Sequence, residues 1–391
     1  MKTSRDSKDK GNRAVSLTPL QYDVSLLFSV LFLVGIGIVA VYSASSALAL
    51  EKFGTDTYFL KKQALYSSLG MIALVVCSHV PYRILRPLTY PILVVALLFL
   101  TTVLVTPHGI TAGGATRWLR LGGLSFQPSE FARFALVIYL AYSLSKKNET
   151  GNIKEFSVGF LPHVLVLGII AALIFLQPDF GSVIILGAIA WFMMFAGGVR
   201  IVHLLLPLII LLPILGVMLI TAPYRLQRLI AFLDPWQYPT EGGYQIIHSL
   251  MAFGTGGLWG IGVGKGYQKL FYLPEPHTDF IFSVIGEEFG FFGVSIILGL
   301  YFLIVWRGII IASNAGDTFG MFVALGLTTA LGFQVCINMG VSLGLLPTKG
   351  LTLPFLSYGG TSLLINMAAI GILMNIAASS RRKKVSRGSN P

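Results

Sequence analysis

The stretch VSLLFSVLFLVGIGIVAVYSAS, residues 24–45, decides the class of the fold. It carries no charged residue, and it is long enough to cross a bilayer, which takes about 20 apolar residues in a helix. Similar runs recur along the chain, which is 55% hydrophobic and 11% charged, whereas soluble domains carry roughly a quarter charged residues. The sequence therefore predicts an all-α polytopic membrane protein.

Ten such runs predict ten transmembrane helices. The predicted spans are residues 24–45, 64–81, 88–106, 130–145, 157–176, 180–197, 201–221, 280–306, 318–345 and 354–378. The first run has no small-residue cleavage site at its end, so we interpret it as a retained span and not as a signal peptide. We divide the chain into a basic tail at 1–20, a single membrane domain at 21–378 and a second basic tail at 379–391.

The charge pattern predicts which side of the membrane each loop faces. A net charge of +12 on a hydrophobic chain with two basic ends is a topology signal, so we do not expect nucleic-acid binding. Placing both termini in the cytoplasm puts most of the 28 Lys and Arg on that side. The predicted outer loops are then 107–129, the large loop 222–279 between spans seven and eight, and 344–356. Long ordered loops are usually functional, which favours an outward-facing site.

The stretch LPEPHTDFIFSVIGEE, residues 273–288, concentrates acidic side chains at the mouth of the eighth span. Asp279 fits two roles. It is either the N-cap of the helix that follows, or a carboxylate that serves as a general base or a metal ligand. Glu287 and Glu288 lie two turns deeper and cannot both face the same site as Asp279. We predict that at least one of them is a structural partner of a buried cation or backbone group.

Basic residues in the outer loops are candidates for binding an anion. Arg117 stands beside Trp118, and a guanidinium makes bidentate hydrogen bonds to phosphate. Lys349, in PTKGLTLPF, is either a solvated surface lysine or a cation held in place for an anionic ligand. In QPSEFARF, Glu130 and Arg133 either form a buried ion pair or leave Arg133 free to line a polar cavity.

Two further stretches have mainly structural interpretations. Asp179 in QPDFG has helix-start chemistry, and we predict a structural role for it. The glycine-rich GTGGLWGIGVGKG, residues 254–266, lacks the spacing of a nucleotide-binding Walker A loop. The preceding YQIIHSLMAF predicts a short amphipathic half-helix.

These stretches together resemble the SEDS family, the shape, elongation, division and sporulation proteins. The resemblance runs from about residue 20 to 378. It rests on VYSAS, GATRWLRLGGLSFQPSE, QPDFG, PTKGLTLPFLSYGGTS and the long stretch from GYQIIHSLMAF to HTDFIFSVIGEEFG. Within the family, QKLFYLPEPHTDFIF and PTKGLTLPF are similar to the division branch and differ from the elongation branch.

The resemblance implies a GT-C-like helical fold and a peptidoglycan glycosyltransferase. Such an enzyme polymerises lipid II into β-1,4 glycan strands on the outer leaflet of the bacterial cytoplasmic membrane, here during septal cell-wall synthesis. It implies a divalent cation, Mg²⁺ or Mn²⁺. The implied partners are a class B penicillin-binding protein, the FtsI-like transpeptidase, and other divisome membrane proteins.

The resemblance also implies a role for Asp279, and we expect further residues to contact the substrate. Asp279 matches the family's essential acid and is expected to be the general base and a candidate metal ligand. The residues expected to contact the substrate or its pyrophosphate are Arg117, Trp118, Glu130, Arg133, Gln245, His277 and Lys349. Two rival functions remain, a lipid II flippase and a non-enzymatic divisome scaffold. A transporter would hold its charges near the membrane midplane, and a scaffold has little need for Asp279.

Overall fold

The helices of the chain follow the apolar runs of the sequence. A computed structural model describes residues 23–105, 109–112, 115–121, 124–207, 209, 230–240, 242–270 and 272–388. The helices with assigned bounds are α1 Val24–Phe53, α2 Tyr58–His79, α3 Leu85–Val105, α4 Pro128–Glu149, α5 Leu161–Phe175, α6 Phe180–Ala196, α7 Tyr244–Gly256, α8 Ile281–Ser313, α9 Thr318–Ser342 and α10 Gly360–Gly388.

Seven helical segments in the described part of the chain are long and apolar enough to cross a membrane. They are α1, α2, α3 with the turn before it, α5 with the π-helical turn before it, α8, α9 and the part of α10 up to Arg381. Helix α6 is apolar but shorter. The predicted all-α polytopic membrane class is thereby confirmed. The seventh predicted span, 201–221, is helical over 201–207 and otherwise lies almost wholly outside the described residues.

Helix α4 corresponds to the fourth predicted span and lies inside the bundle. It packs against α3, α6 and α9, and the side chains of 135–138 are fully buried. Charged groups in membrane-embedded helices are tolerated when they face the protein interior and find partners there. This explains how a helix inside the bundle can carry Glu130 and Arg133, which pair with each other.

Helix α10 begins later and ends later than the predicted span and packs closely on α2. The close packing depends on small residues, because a Cβ at Gly371 would lie 2.4 Å from the Leu74 carbonyl oxygen. Residues 349–353 precede α10 without regular structure, and Leu353 and Phe355 are buried. The irregular segment before α10 therefore enters the bundle.

The predicted outer loop 107–129 contains a small antiparallel sheet that was not predicted from the sequence. Its strands are β1 Gly109–Ala112, β2 Ala115–Leu121 and β3 Leu124–Phe126, in that order. Strand β2 is the centre, pairing Trp118 with Ile110 and Arg120 with Ser125. The strands are too short to show a clear period of two, and Gly-Gly pairs separate them in the sequence.

The glycine-rich stretch 254–266 packs against a kink in α8. Gly290 interrupts the helix with a φ of 65°, and the amide of Phe291 donates to the Gly257 carbonyl at 2.9 Å. A Cβ at Gly260 would lie 2.2 Å from the Glu288 carbonyl oxygen, so only glycine allows this approach. The stretch therefore makes backbone contacts within the protein, in agreement with its lack of a phosphate-loop pattern.

Candidate active site

Asp279 lies directly before α8, at the end of the predicted large outer loop. The N-cap position of α8 is Phe280, and no side chain within the described residues caps the helix. The alternative in which Asp279 is the N-cap is therefore wrong, and its carboxylate is not used to begin the helix. Its main-chain carbonyl instead accepts a hydrogen bond from Asn338 Nδ2 at 2.9 Å.

The surroundings of Asp279 raise its pKa to about 7. Burial is the largest cause, because the charged form loses solvation. The nearby Glu275 carboxylate raises the pKa further, while Arg117 and the Thr278 hydroxyl lower it. A carboxyl group with a pKa near neutrality can accept and release a proton at physiological pH, as a general base must.

Two segments far apart in the chain form one unit around Asp279. The amide of Tyr358 donates to the His277 carbonyl at 2.9 Å, and the Ser357 hydroxyl donates to the Thr278 carbonyl at 2.5 Å. A Cβ at Gly350 would lie 3.0 Å from Asp279 Oδ2. The segment before α10 therefore lies directly against the Asp279 carboxylate.

His277 packs into an aromatic cluster beside Asp279. Its ring centroid lies 4.5 Å from that of Phe59 and 5.7 Å from that of Tyr358, and the residue is 4% exposed. Burial lowers the pKa of His277 to about 4, and Lys52 contributes to the shift. The imidazole is therefore neutral at pH 7 and covered by its neighbours, so a substrate could touch it only after these rings moved.

Lys349 is half-buried and is not a fully solvated surface lysine. Its Cε would lie 2.6 Å from a Cβ at Gly181, which places its aliphatic stem against the start of α6. Burial lowers the pKa of Lys349 to about 8, although the negative charge of Asp179 opposes this shift. The lysine is thus held in place as a cation at neutral pH.

Arg117 meets the same turn that contacts Lys349. Its Nη2 donates to the Pro178 carbonyl at 2.6 Å, while its buried Nε–H has no hydrogen-bond partner in the described part of the chain. The neighbouring Trp118 lies half-buried in β2. Since Arg117 also lowers the pKa of Asp279, the cation, the carboxylate and the turn belong to one site.

Asp179 has the predicted structural role and also a neighbour, Lys349, that was not predicted from the sequence. It caps α6 by accepting from the Ser182 amide at 3.3 Å and the Ser182 hydroxyl at 2.7 Å, which confirms the helix-start interpretation. It also lies next to Lys349. The Gln-Pro start of QPDFG, which also opens QPSEFARF, was the sequence signal that could have suggested this placement.

Other predicted substrate-binding residues lie elsewhere. Arg133 Nη2 is 2.5 Å from Glu130 Oε2, and both residues are less than a tenth exposed, which confirms the buried ion pair. Arg133 also borders a cavity lined by Asn366 and apolar side chains of α9 and α10. Gln245 is half-buried in the first turn of α7, a helix that packs against α8.

Glu287 and Glu288 are both structural, as predicted for at least one of them. Glu287 Oε1 accepts from the Tyr267 amide at 2.9 Å. Glu288 Oε1 accepts from Lys269 Nζ and from the Ser43 hydroxyl, each at 2.6 Å. Ser43 belongs to the VYSAS motif of α1, so this motif has a structural explanation as well.

The site offers few ligands for a metal ion. Within the described residues there is no group of three His, Cys, Asp or Glu side chains arranged to hold one. Asp279 and the neighbouring Glu275 are the available carboxylates. Mg²⁺ typically binds one or two carboxylates together with substrate phosphates. These residues therefore fit a cation shared with a diphosphate and do not fit a cage built by the protein alone.

Comparison with known proteins decides the family. The sequence model of the family described as "Cell cycle protein", which groups FtsW, RodA and SpoVE, matches residues 24–382. The chain belongs to the FtsW/RodA/SpoVE family. The resemblance to the SEDS proteins is thereby confirmed.

Curated relatives within the FtsW/RodA/SpoVE family are similar over almost their whole length. The chain is 48% identical to "Probable peptidoglycan glycosyltransferase FtsW" of Trichlorobacter lovleyi, over 92% of this chain and 93% of the relative. The identically named protein of Geobacter metallireducens is 46% identical, over 91% and 95%. "Stage V sporulation protein E" of Bacillus subtilis is 42% identical, over 92% and 98%.

Solved structures from the FtsW/RodA/SpoVE family share the fold. One, described as "Structural coordination of polymerization and crosslinking by a peptidoglycan synthase complex", matches with a TM-score of 0.76 and 32% identity, over 92% of this chain and 99% of the matched chain. The rod shape determining protein RodA of Thermus thermophilus matches with a TM-score of 0.66 and 30% identity, over 93% and 97%.

Proposed function

We infer that this chain is a peptidoglycan glycosyltransferase that polymerises lipid II into β-1,4 glycan strands at the outer face of the cytoplasmic membrane. One observation carries the proposal. A carboxylate with a pKa of about 7, Asp279, is not used as a helix cap and shares its site with two held cations. A lipid-linked sugar keeps its tail in hydrocarbon and its sugar in water, so chemistry on it requires a site at this boundary.

Asp279 is the general base of the proposed reaction. It accepts the proton of the 4-hydroxyl of the acceptor GlcNAc as that oxygen attacks C1 of the donor MurNAc. The C1–oxygen bond to the pyrophosphate breaks as the new bond forms, and the configuration at C1 inverts from α to β. A base with a pKa near the working pH combines a large ionised fraction with useful basicity.

Arg117 and Lys349 stabilise the leaving pyrophosphate. Negative charge grows on its bridging oxygen as the C1–oxygen bond breaks, and cations that are already in place lower the barrier without reorganisation. The guanidinium of Arg117 is restricted by its hydrogen bond to the Pro178 carbonyl, and its buried Nε–H has no hydrogen-bond partner in the described part of the chain. Arg133 is less suited to this role, because its guanidinium is paired with Glu130.

A divalent cation fits the proposed site in a supporting role. Asp279, with Glu275 beside it, would hold the cation against the diphosphate. When bound, Mg²⁺ or Mn²⁺ supplies additional positive charge for the leaving group. The protein itself would supply the carboxylates of Asp279 and Glu275 as ligands.

The partner and location are further parts of the proposal. A related solved structure is described as a complex that couples polymerization and crosslinking, which supports a class B penicillin-binding protein as the partner here. We place both termini in the cytoplasm and the enzyme at the division septum. Reporter fusions after residues 150 and 385 should read cytoplasmic, and fusions near 120 and 260 external. A cytoplasmic reading at 260 would contradict an outer site.

The test of the function is polymerisation by the purified protein. We expect glycan polymer on a gel from lipid II with Mg²⁺ or Mn²⁺, and loss of polymer with a chelator. A protein that moves lipid II across vesicles but makes no polymer would instead be a flippase. A protein that recruits the transpeptidase and does neither would be a scaffold.

A further inference from the structure

We propose that the turn at 177–181 positions both cations of the site, and that Asp179 is a positioning residue acting through Lys349. This inference rests on the proposed glycosyl transfer, since the cations matter for the departure of a diphosphate. It assigns a role to the QPDFG motif beyond the start of α6. No contact between Asp179 and the substrate is required.

The turn at 177–181 is held by hydrogen bonds to neighbouring helices. The side-chain amide of Gln177, which is 2% exposed, donates to the Leu100 carbonyl of α3 at 3.0 Å. The amide of Asp179 donates to the Ile174 carbonyl at the end of α5 at 3.3 Å. The Asp179 carboxylate then caps α6. Three helices therefore fix the turn within the bundle.

Arg117 and Lys349 both contact the turn at 177–181. Arg117 Nη2 donates to the Pro178 carbonyl at 2.6 Å, which restricts the guanidinium. The stem of Lys349 lies against Gly181, where a Cβ would come within 2.6 Å of Cε and 3.3 Å of Cγ. The Asp179 carboxylate approaches the same glycine, with Oδ1 3.2 Å from that Cβ position, and its negative charge acts on Lys349 by raising the pKa of the lysine.

Asp179 therefore has two roles at the turn. It accepts hydrogen bonds at the start of α6, and its charge attracts the Lys349 ammonium to the same turn. Burial of a lysine disfavours its charged form, and an adjacent carboxylate opposes that tendency. Asparagine caps a helix about as well as aspartate. Asp179→Asn therefore removes the charge while keeping the cap, so the two tasks are separable by experiment.

The first test exchanges two glycines of the same helix. Gly181→Ala places a methyl group where Lys349 Cε lies, whereas a Cβ at Gly187 has no atom within 4 Å. Both changes favour the helix intrinsically, because alanine is a better helix former than glycine. We expect Gly181→Ala to lower the turnover number about 10- to 100-fold with little change in KM, because small misplacements of charged groups are costly in the transition state. Turnover numbers within twofold of each other for the two variants would overturn the proposal.

The second test is a double-mutant cycle that combines Asp179→Asn with Lys349→Ala. If Asp179 acts through Lys349, Asp179→Asn should lower turnover at least tenfold in the wild type and less than twofold in the Lys349→Ala background. The control is Asp317→Asn, since Asp317 caps α9 and has a cationic neighbour in Arg83. Equal losses from Asp179→Asn in both backgrounds would show an independent structural role and overturn the proposal.

A binding measurement separates this inference from the proposed function. The wild type, Asp179→Asn, Lys349→Ala and the double variant are each titrated with undecaprenyl diphosphate. Their dissociation constants give a second double-mutant cycle, for binding. If the wild type makes no polymer, the proposed function fails, while coupling between Asp179 and Lys349 in diphosphate binding would still support the positioning role. Strictly additive effects on binding and on turnover would overturn it, whether or not polymer forms.

Discussion

The side chain of Asn338 holds the main chain of Asp279, with Nδ2 2.9 Å from the Asp279 carbonyl oxygen. The same Nδ2 donates to the Leu351 carbonyl. Asn338 lies in α9 and is 1% exposed, so this amide joins three parts of the chain beneath the candidate active site. The position of the carboxylate therefore depends on a residue that never needs to touch the substrate.

Asn338→Leu should lower turnover at least tenfold. The substitution keeps the approximate volume but leaves the Asp279 and Leu351 carbonyl oxygens without their donor, which costs about 1–3 kcal/mol for each buried unsatisfied group. The backbone around Asp279 would then be free to move. Turnover and thermal unfolding in detergent should both be measured, because both should fall.

Asn375→Leu is the matched control for Asn338→Leu. Asn375 also joins two main-chain groups, accepting from the Tyr82 amide at 3.0 Å and donating to the Ser78 carbonyl at 2.8 Å. These groups lie at the opposite end of α2 from Phe59, which contacts the site. A similar loss of thermal stability with turnover close to wild type is expected. If both variants lose turnover equally, the Asn338 effect is only general destabilisation.

The pH profile of kcat/KM should be a narrow bell. The rate should rise with pH through about 7 as Asp279 loses its proton, because only the carboxylate can act as a base. It should fall through about 8 as the Lys349 ammonium loses its proton, because a neutral amine no longer attracts the diphosphate. The profile of kcat/KM reports groups of the free enzyme. A flat profile between pH 5 and 7 would contradict the role of Asp279.

Glu275→Gln should move the acidic limb of that bell to lower pH. Glu275 is exposed and raises the pKa of Asp279 by charge repulsion, so removing its charge makes Asp279 easier to ionise. The alkaline limb should stay in place. Glu155→Gln, which alters an exposed residue of the 150–155 turn, is the control and should leave both limbs unchanged.

Most of the fold was predictable from the sequence because bilayer-spanning helices leave long apolar runs. Two exceptions have physical reasons. The sheet of β1 to β3 is too short to show a clear alternation. The kink at Gly290 depends on backbone hydrogen bonds from a distant glycine-rich stretch, and such contacts leave no periodic pattern.

The sequence predicted which residues belong to the site better than it predicted how they are arranged. Charged side chains next to apolar runs are costly, so Asp279, Arg117 and Lys349 could be recognised from the sequence alone. Their arrangement could not, because it depends on contacts between distant segments. Asp179 was recognised as a helix start, yet its place beside Lys349 appears only when α6 and the segment before α10 are brought together.

Arg117→Lys should lower turnover about tenfold or more although the charge is kept. A lysine cannot donate to the Pro178 carbonyl and also present a planar fork to a phosphate.

Arg117→Ala combined with Lys349→Ala should cost less than the sum of the two separate free energies, since groups that act on one diphosphate are not additive. Arg120→Lys, at an exposed position of the same strand, should have turnover close to wild type. Strict additivity with an active Arg117→Lys would contradict a shared diphosphate.

Lys269→Met should destabilise the protein by about 3–5 kcal/mol, because it leaves Glu288 as a buried charge without its partner. Adding Glu288→Gln should recover much of that loss. Arg83→Met, which breaks the exposed pair with Asp317, should cost no more than about 1 kcal/mol. Thermal unfolding in detergent measures all three. Equal effects of Lys269→Met and Arg83→Met would show that burial does not govern these pairs.

The most direct test is the rate of lipid II polymerisation by Asp279→Asn beside its affinity for lipid II. The substitution keeps the size and polarity of the side chain and removes its basicity and charge. We expect turnover to fall by about 10² to 10⁴, with thermal stability and lipid II binding close to wild type. Polymer formed by Asp279→Asn at a rate near that of the wild type would contradict the central claim that this carboxylate is the general base.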